Sequence, residues 1–180
     1  MLFRSGAGGV ALLIGLLLAA DLSGSTEWEG ILRSGDALRG SPIYPLMLGL
    51  ILVGAFTKSA QFPFHIWLPQ AMTAPTPASA YLHSATMVKA GIYLLARINP
   101  ALGQTELWFW VLTLVGMTTM LTGAYQGLRQ NDLKALLAYA TVCQLGIFTM
   151  MIGQNIAIAY TAVMVGRSEE RRVGKECRSR

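Results

Sequence analysis

Five apolar stretches follow one another along this sequence: Leu2 to Ala20, Ile43 to Leu68, Ala78 to Ile98, Leu107 to Leu128 and Leu133 to Ile152. Each is close to the roughly 20 residues that an α-helix needs to cross about 30 Å of hydrocarbon. Within lipid only helices and closed barrels satisfy their own backbone groups, and no alternation of period two is visible. The series therefore predicts an all-α, polytopic transmembrane helix bundle of five full spans. A sixth run begins near Ile156 and stops at Val165, too short to cross, and is read as a truncated span.

Composition agrees with that class. Of the 180 residues, 53% are hydrophobic and 13% charged, where a soluble domain carries roughly 25% charged residues. The formal charge of +5 comes mostly from one end: from Arg167 onward there are six basic residues against three glutamates. That basic segment has no apolar helical face, so residues 166–180 are read as a non-native or disordered tail and 1–165 as a partial transmembrane domain. A nucleic-acid partner has no support once the tail is set aside. Arg4 ahead of a leucine-rich run could open a signal peptide, but further spans follow and no small-residue cleavage pattern precedes Asp21, which favours a membrane helix. Arginine and lysine counts in the connections balance, three on each side (Arg33, Arg39, Arg97 against Arg4, Arg129, Lys134), and give no orientation.

No dinucleotide fingerprint, Walker loop or HExxH motif is present, and Cys143 and Cys177 have no metal-site spacing, so the expectation is no cofactor and no metal. Haem ligation by His65 and His83 is disfavoured because no paired helical pattern surrounds them. Trp67, Tyr81, Trp108 and Trp110 read as interfacial or packing aromatics. Asn131-Asp132 offers an N-cap for the fifth span.

The informative residues are the polar ones inside the spans. A charge there costs about 2.5 to 3.5 kcal/mol on insertion scales, so it usually faces a bundle interior and performs a function. Lys58 lies deep in the second stretch, with Pro63 five residues later and Pro69 at the end. Pro63 lacks an amide hydrogen and its ring clashes with the carbonyl of Ser59, so the helix should be discontinuous between Lys58 and Pro63. Broken helices beside a charge are a recurring transporter device. A structural salt bridge in a kinked helix is the plainer alternative. On the third stretch, His83 and Lys89 stand about 9 Å apart along a helix axis and about 120° apart around it. That separation suits two stations joined by water, with Ser84 and Thr86 between them. Histidine titrates near neutral pH and desolvation eases deprotonation of an ammonium group, so Lys58, His83 and Lys89 read as an intramembrane proton path. His65, just after Pro63, is a possible supporting residue. The APTP segment, Ala74 to Pro77, reads as a rigid connection.

The run GAFTKSAQFPFHIWLPQAMTAPTPASAYLHSATMVKAGIYLLAR, Gly54 to Arg97, resembles the core of the antiporter-like membrane subunits shared by Mrp-type multisubunit Na+/H+ antiporters and the proton-pumping NADH:quinone oxidoreductases of the complex I type. RQNDLKALLAYATVCQLG, Arg129 to Gly146, resembles a later helix of the same family. The TKSAQFPFH, APTP and MVKAG blocks occur in the family's order, and Lys89 with Tyr-Leu-His ahead of it is more similar to the large, A-type component of the Mrp antiporters. The resemblance implies a fold of about fourteen helices with inverted repeats, each holding a broken helix. It places Lys58 at the first break and His83 and Lys89 at relay positions on the next helix. It also implies an internal fragment, with the glutamate that pairs with the first lysine upstream of Met1 and the second broken helix beyond Val165.

The expected function is that of a membrane subunit of a monovalent cation (Na+)/proton antiporter, an ion transporter rather than an enzyme. The expected partners are other hydrophobic subunits of a hetero-oligomeric complex, H+, Na+ and the bilayer, in the cytoplasmic membrane of a prokaryote. The alternative is a proton-translocating subunit of an NADH:quinone oxidoreductase or membrane hydrogenase, with no redox centre of its own. A non-transporting scaffold is a third reading, which the buried lysines argue against.

Overall fold

The computed structural model describes residues 2–71 and 87–155. They form α1 (Leu2–Ser23), α2 (Trp28–Arg33), α3 (Gly35–Gly40), α4 (Tyr44–Lys58), a 3-10 turn (Phe64–Ile66), α5 (Trp67–Ala71), α6 (Met87–Leu102), α7 (Glu106–Leu128) and α8 (Leu133–Gly153), with no strand among the described residues. The described residues form an all-helical membrane bundle, and the helix that ends at Lys58 is discontinuous. His83, Ser84, Thr86, the APTP segment, the sixth apolar run and the basic tail lie outside the described residues.

Among the described residues three helices, α1, α7 and α8, are long and apolar enough to cross a membrane. The second apolar stretch is divided: α4 takes Tyr44–Lys58 and the 3-10 turn with α5 takes the end. Helix α6 carries Pro100 near its C-terminus and runs on to Leu102, past the expected end at Ile98. The outward faces are apolar. Val10, Leu13 and Leu17 of α1 and Trp110, Leu114, Leu121 and Tyr125 of α7 are all exposed. Such stripes are the mark of surfaces whose solvent is hydrocarbon.

Close packing of small residues joins the helices in pairs. A Cβ placed on Gly54 of α4 would collide with Leu12 of α1, and one on Gly8 would collide with Thr57. In the α7–α8 hairpin a Cβ on Gly146 would lie 2.7 Å from the Gly116 carbonyl oxygen and 2.6 Å from the Met120 nitrogen. Without a hydrophobic drive between helices in lipid, such backbone approach is how packing energy is gained. The core between the pairs is built from Met47, Leu48 and Ile51 of α4, Ile92 and Leu95 of α6, and Trp108 and Leu112 of α7.

One end of the bundle is tied by polar side chains. Arg39 of α3 donates to the Gly35 carbonyl and to Gln104, 2.6 Å away, and pairs with Asp36. The Tyr44 hydroxyl donates to the Leu102 carbonyl at 3.0 Å and lies 2.7 Å from Thr105 Oγ1, and Thr105 caps α7 by accepting from the Trp108 amide. Residues 24–43, which lie between the first two apolar stretches, thus contain two short helices that cover the end of α6, with Leu38 fully buried. Asp132 is the N-cap residue of α8 as expected, but its side chain makes no capping hydrogen bond. Its carboxylate still lies at the positive end of the helix dipole.

Candidate functional site

Helix α4 ends at Lys58, and the geometry of that ending defines the site. Ser59 is the C-cap, and Ala60 follows with φ 49°, the left-handed conformation usually left to glycine. The Gln61 amide then donates to the Phe56 carbonyl at 3.1 Å, the 6→1 hydrogen bond of a Schellman ending. The break beside Lys58 is therefore where the sequence placed it, but it is made before Pro63 is reached. Pro63 instead begins the 3-10 turn, after a cis Phe62–Pro63 peptide bond.

An irregular backbone at membrane depth survives only if protein satisfies it. Here three elements do so. The Trp67 indole of α5 turns back and donates to the Thr57 carbonyl at 3.1 Å, occupying an acceptor that the end of α4 leaves open. Thr119 of α7 accepts from the Phe62 amide at 2.9 Å while donating to its own Val115 carbonyl. Thr149 of α8 accepts from Gln61 Nε2 at 2.8 Å while donating to Leu145. Each threonine hydroxyl thus uses its hydrogen within its helix and offers its lone pair to the break. Gln61, Thr119 and Thr149 are fully buried.

His65 is buried within the 3-10 turn and stacks on Phe62 at 5.9 Å. Its Nε2 faces Gln126 Nε2 of α7 at 3.4 Å. Lys58 is half-buried at the C-terminus of α4, the end of a helix dipole that favours a cation. Lys89 is half-buried on α6. Two residues further on, Gly91 packs so closely that an added Cβ would collide with the Ala55 carbonyl and come within 3.0 Å of Ser59 Cβ. That approach sets the lysines at one level of the α4–α6 contact. Lys89 projects about 200° round its helix from Gly91, so the lysines share a level without sharing the contact line.

Sequence reading named Lys58, Lys89, His65 and Pro63 here, and missed Gln61, Thr119, Gln126 and Thr149. A signal existed for Thr119: it lies on the face of α7 that carries Gly116 and Gly123, three residues after one and four before the other. Among the described residues no group of three His, Cys, Asp or Glu side chains gathers to hold a metal.

Residues 1–167 match the family model described as NADH:quinone oxidoreductase/Mrp antiporter, transmembrane. The chain belongs to this family. A Rhizobium meliloti protein named as the A/B component of a probable K(+)/H(+) antiporter is 52% identical over 160 residues, covering 89% of this chain and 16% of that protein. The A component of the Na(+)/H(+) antiporter of Alkalihalophilus pseudofirmus is 51% identical over 153 residues, covering 85% and 19%. In the solved Mrp complex from Dietzia sp. DQ12-45-1b, one chain superposes with a TM-score of 0.86 at 43% identity, over 94% of this chain and 19% of that one. A chain of the archaeal membrane-bound sulfane sulfur reductase superposes with a TM-score of 0.81 at 21% identity, over 94% and 36%, a likeness of fold alone. The chain thus spans less than a fifth of these antiporter relatives. Membership of this family agrees with the resemblance carried by the TKSAQFPFH and MVKAG blocks.

Proposed function

We propose that this chain forms part of the large membrane subunit of a monovalent cation/proton antiporter and carries part of its intramembrane proton path through Lys58, His83 and Lys89. The observation that carries the reading is Lys58, half-buried at the end of a helix that breaks inside an apolar bundle. A cation there costs folding energy and is retained where it works. Relatives near half identity that are named as antiporter subunits favour antiport over redox-driven pumping. Their names divide between K+ and Na+ at almost equal identity, so the coupling ion is assigned by class, a monovalent cation, with Na+ the first to test.

The path works by electrostatics. A proton reaching the His83/Lys89 pair raises the local positive potential, and the repulsion drives the Lys58 side chain and its ion pair to rearrange. In the exchanger, inward proton movement would drive cation efflux. The working unit would include other hydrophobic subunits in the cytoplasmic membrane of a prokaryote. In the full-length protein, Lys58→Ala should abolish proton-coupled exchange in everted vesicles, followed by the collapse of a pH gradient when NaCl or KCl is added. Retained exchange would remove Lys58 from the mechanism.

A further inference from the structure

The carbonyls in the last turn of α4 take their donors from different places in the chain. The Ala55 carbonyl accepts from the Ser59 amide at 2.9 Å and from the Ser59 hydroxyl at 2.8 Å, and the Phe56 carbonyl accepts from the Gln61 amide at 3.1 Å. The turn itself closes these two. The Thr57 carbonyl accepts instead from the Trp67 indole at 3.1 Å, across the break. Thr57 is otherwise held fast: it is buried, its hydroxyl donates to the Gly54 carbonyl at 2.9 Å, and its side chain fills the space that a Cβ on Gly8 of α1 would need. Trp67 is half-buried and packs against the apolar core.

Lys58 is the residue next to Thr57 and ends the helix, where the dipole favours a cation. Lysine side chains near a helix C-terminus hydrogen-bond the last carbonyls, and such a bond is strong where the local dielectric is low. Among the described residues no carboxylate forms an ion pair with Lys58. An open Thr57 carbonyl would therefore compete for its ammonium group. We infer that Trp67 is a positioning residue for Lys58: its indole N–H fills the Thr57 carbonyl and so keeps the ammonium from folding back onto its own helix end, where it would be lost to exchange. The inference rests on the reading of Lys58 given above. A brace for the fold needs only the shape of the Trp67 ring, whereas this role needs its N–H, and the two can be separated chemically.

The test uses the assembled full-length complex with Trp67 replaced by 3-benzothienylalanine, which keeps the bicyclic shape and carries sulfur in place of the N–H. In everted vesicles the maximal rate of exchange should fall about tenfold, the effect of one hydrogen bond to a charged group, while the half-saturating NaCl or KCl concentration changes by less than about twofold. A cryo-EM map of the variant should show the Lys58 ammonium within hydrogen-bonding distance of the Thr57 carbonyl oxygen. A maximal rate equal to that of the unmodified complex would mean that only the ring's shape matters, and would overturn the inference. So would a loss of rate in which the half-saturating cation concentration rises in step, or a map in which Lys58 has not moved, since either marks a loosened fold rather than a misplaced lysine. If Lys58→Ala abolishes exchange while the benzothienyl variant exchanges normally, the positioning role falls and the lysine path stands. If Lys58→Ala leaves exchange intact, the lysine path itself falls and the role of Trp67 with it.

Discussion

The α7–α8 hairpin and the break between α4 and α5 lie against each other in one bundle and are specified by opposite means. In the hairpin every main-chain group in the helix interiors is satisfied locally, and what fixes the pair is the absence of side chains at Gly116, Gly123 and Gly146. In the break the backbone is irregular, and it is fixed by side chains reaching in from elsewhere: Thr119, Thr149 and Trp67. Shape holds the first and directional hydrogen bonds hold the second. The hairpin is thus a rigid wall on which the break is hung, and damage to the two should differ in kind.

The largest effect belongs to the wall. Gly146→Ala in the full-length protein would press its Cβ onto the Gly116 carbonyl and the Met120 amide, both backbone, with no flexible side-chain end to yield. The hairpin must part, at a cost of about 3 kcal/mol. Thermal unfolding in detergent should show it as a large fall in midpoint. Gly49→Ala, where nothing lies within 4 Å, is the control and should be neutral or slightly stabilising. Equal effects at the two glycines would break the claim that shape specifies the hairpin.

Next is the bond between wall and break. Thr119→Val keeps the volume but removes the acceptor of the Phe62 amide, leaving a half-buried N–H without its partner, at a cost of about 1 to 2 kcal/mol. Thr122→Val on the same helix loses only hydrogen bonds to carbonyls of its own helix and should cost less than about 0.5 kcal/mol. Exchange activity sharpens the contrast: Thr119→Val should impair it beyond what lost stability explains, and Thr122→Val should not. Similar outcomes for the two would reduce Thr119 to an ordinary helix residue.

Those pairs also show what a sequence can and cannot disclose. The helices were readable because a span of lipid demands about 20 apolar residues whatever they pack against. The break was readable because Lys58 and Pro63 contradict such a run. The partners of the break were not. A threonine in a membrane helix commonly turns its hydroxyl onto its own helix, as Thr118 and Thr122 do, and only tertiary structure reveals that Thr119 and Thr149 also serve a neighbour. The short helices α2 and α3 were missed for a related reason. Their stability comes from Leu38 and Gly35 meeting α6 rather than from any long apolar pattern.

The smallest effect is a gain, and it isolates the ending of α4 from the residues that hold it. Ala60 occupies φ 49° while fully buried, so it carries the steric cost of a Cβ in the left-handed region, about 1 to 2 kcal/mol. Proline is not what stops this helix. The stop is the turn at residue 60, with the Gln61–Phe56 hydrogen bond closing it. Ala60→Gly keeps that turn and removes the clash, so the full-length protein should unfold a few degrees higher with exchange unchanged. Two opposing terms decide the sign: the relief of strain favours glycine, and the greater freedom of glycine in the unfolded chain opposes it by a few tenths of a kcal/mol up to about 1 kcal/mol. A buried left-handed alanine makes relief the larger. A fall in unfolding temperature would mean that the Cβ of Ala60 is itself a packing contact of the break, and that shape governs this region as it governs the hairpin.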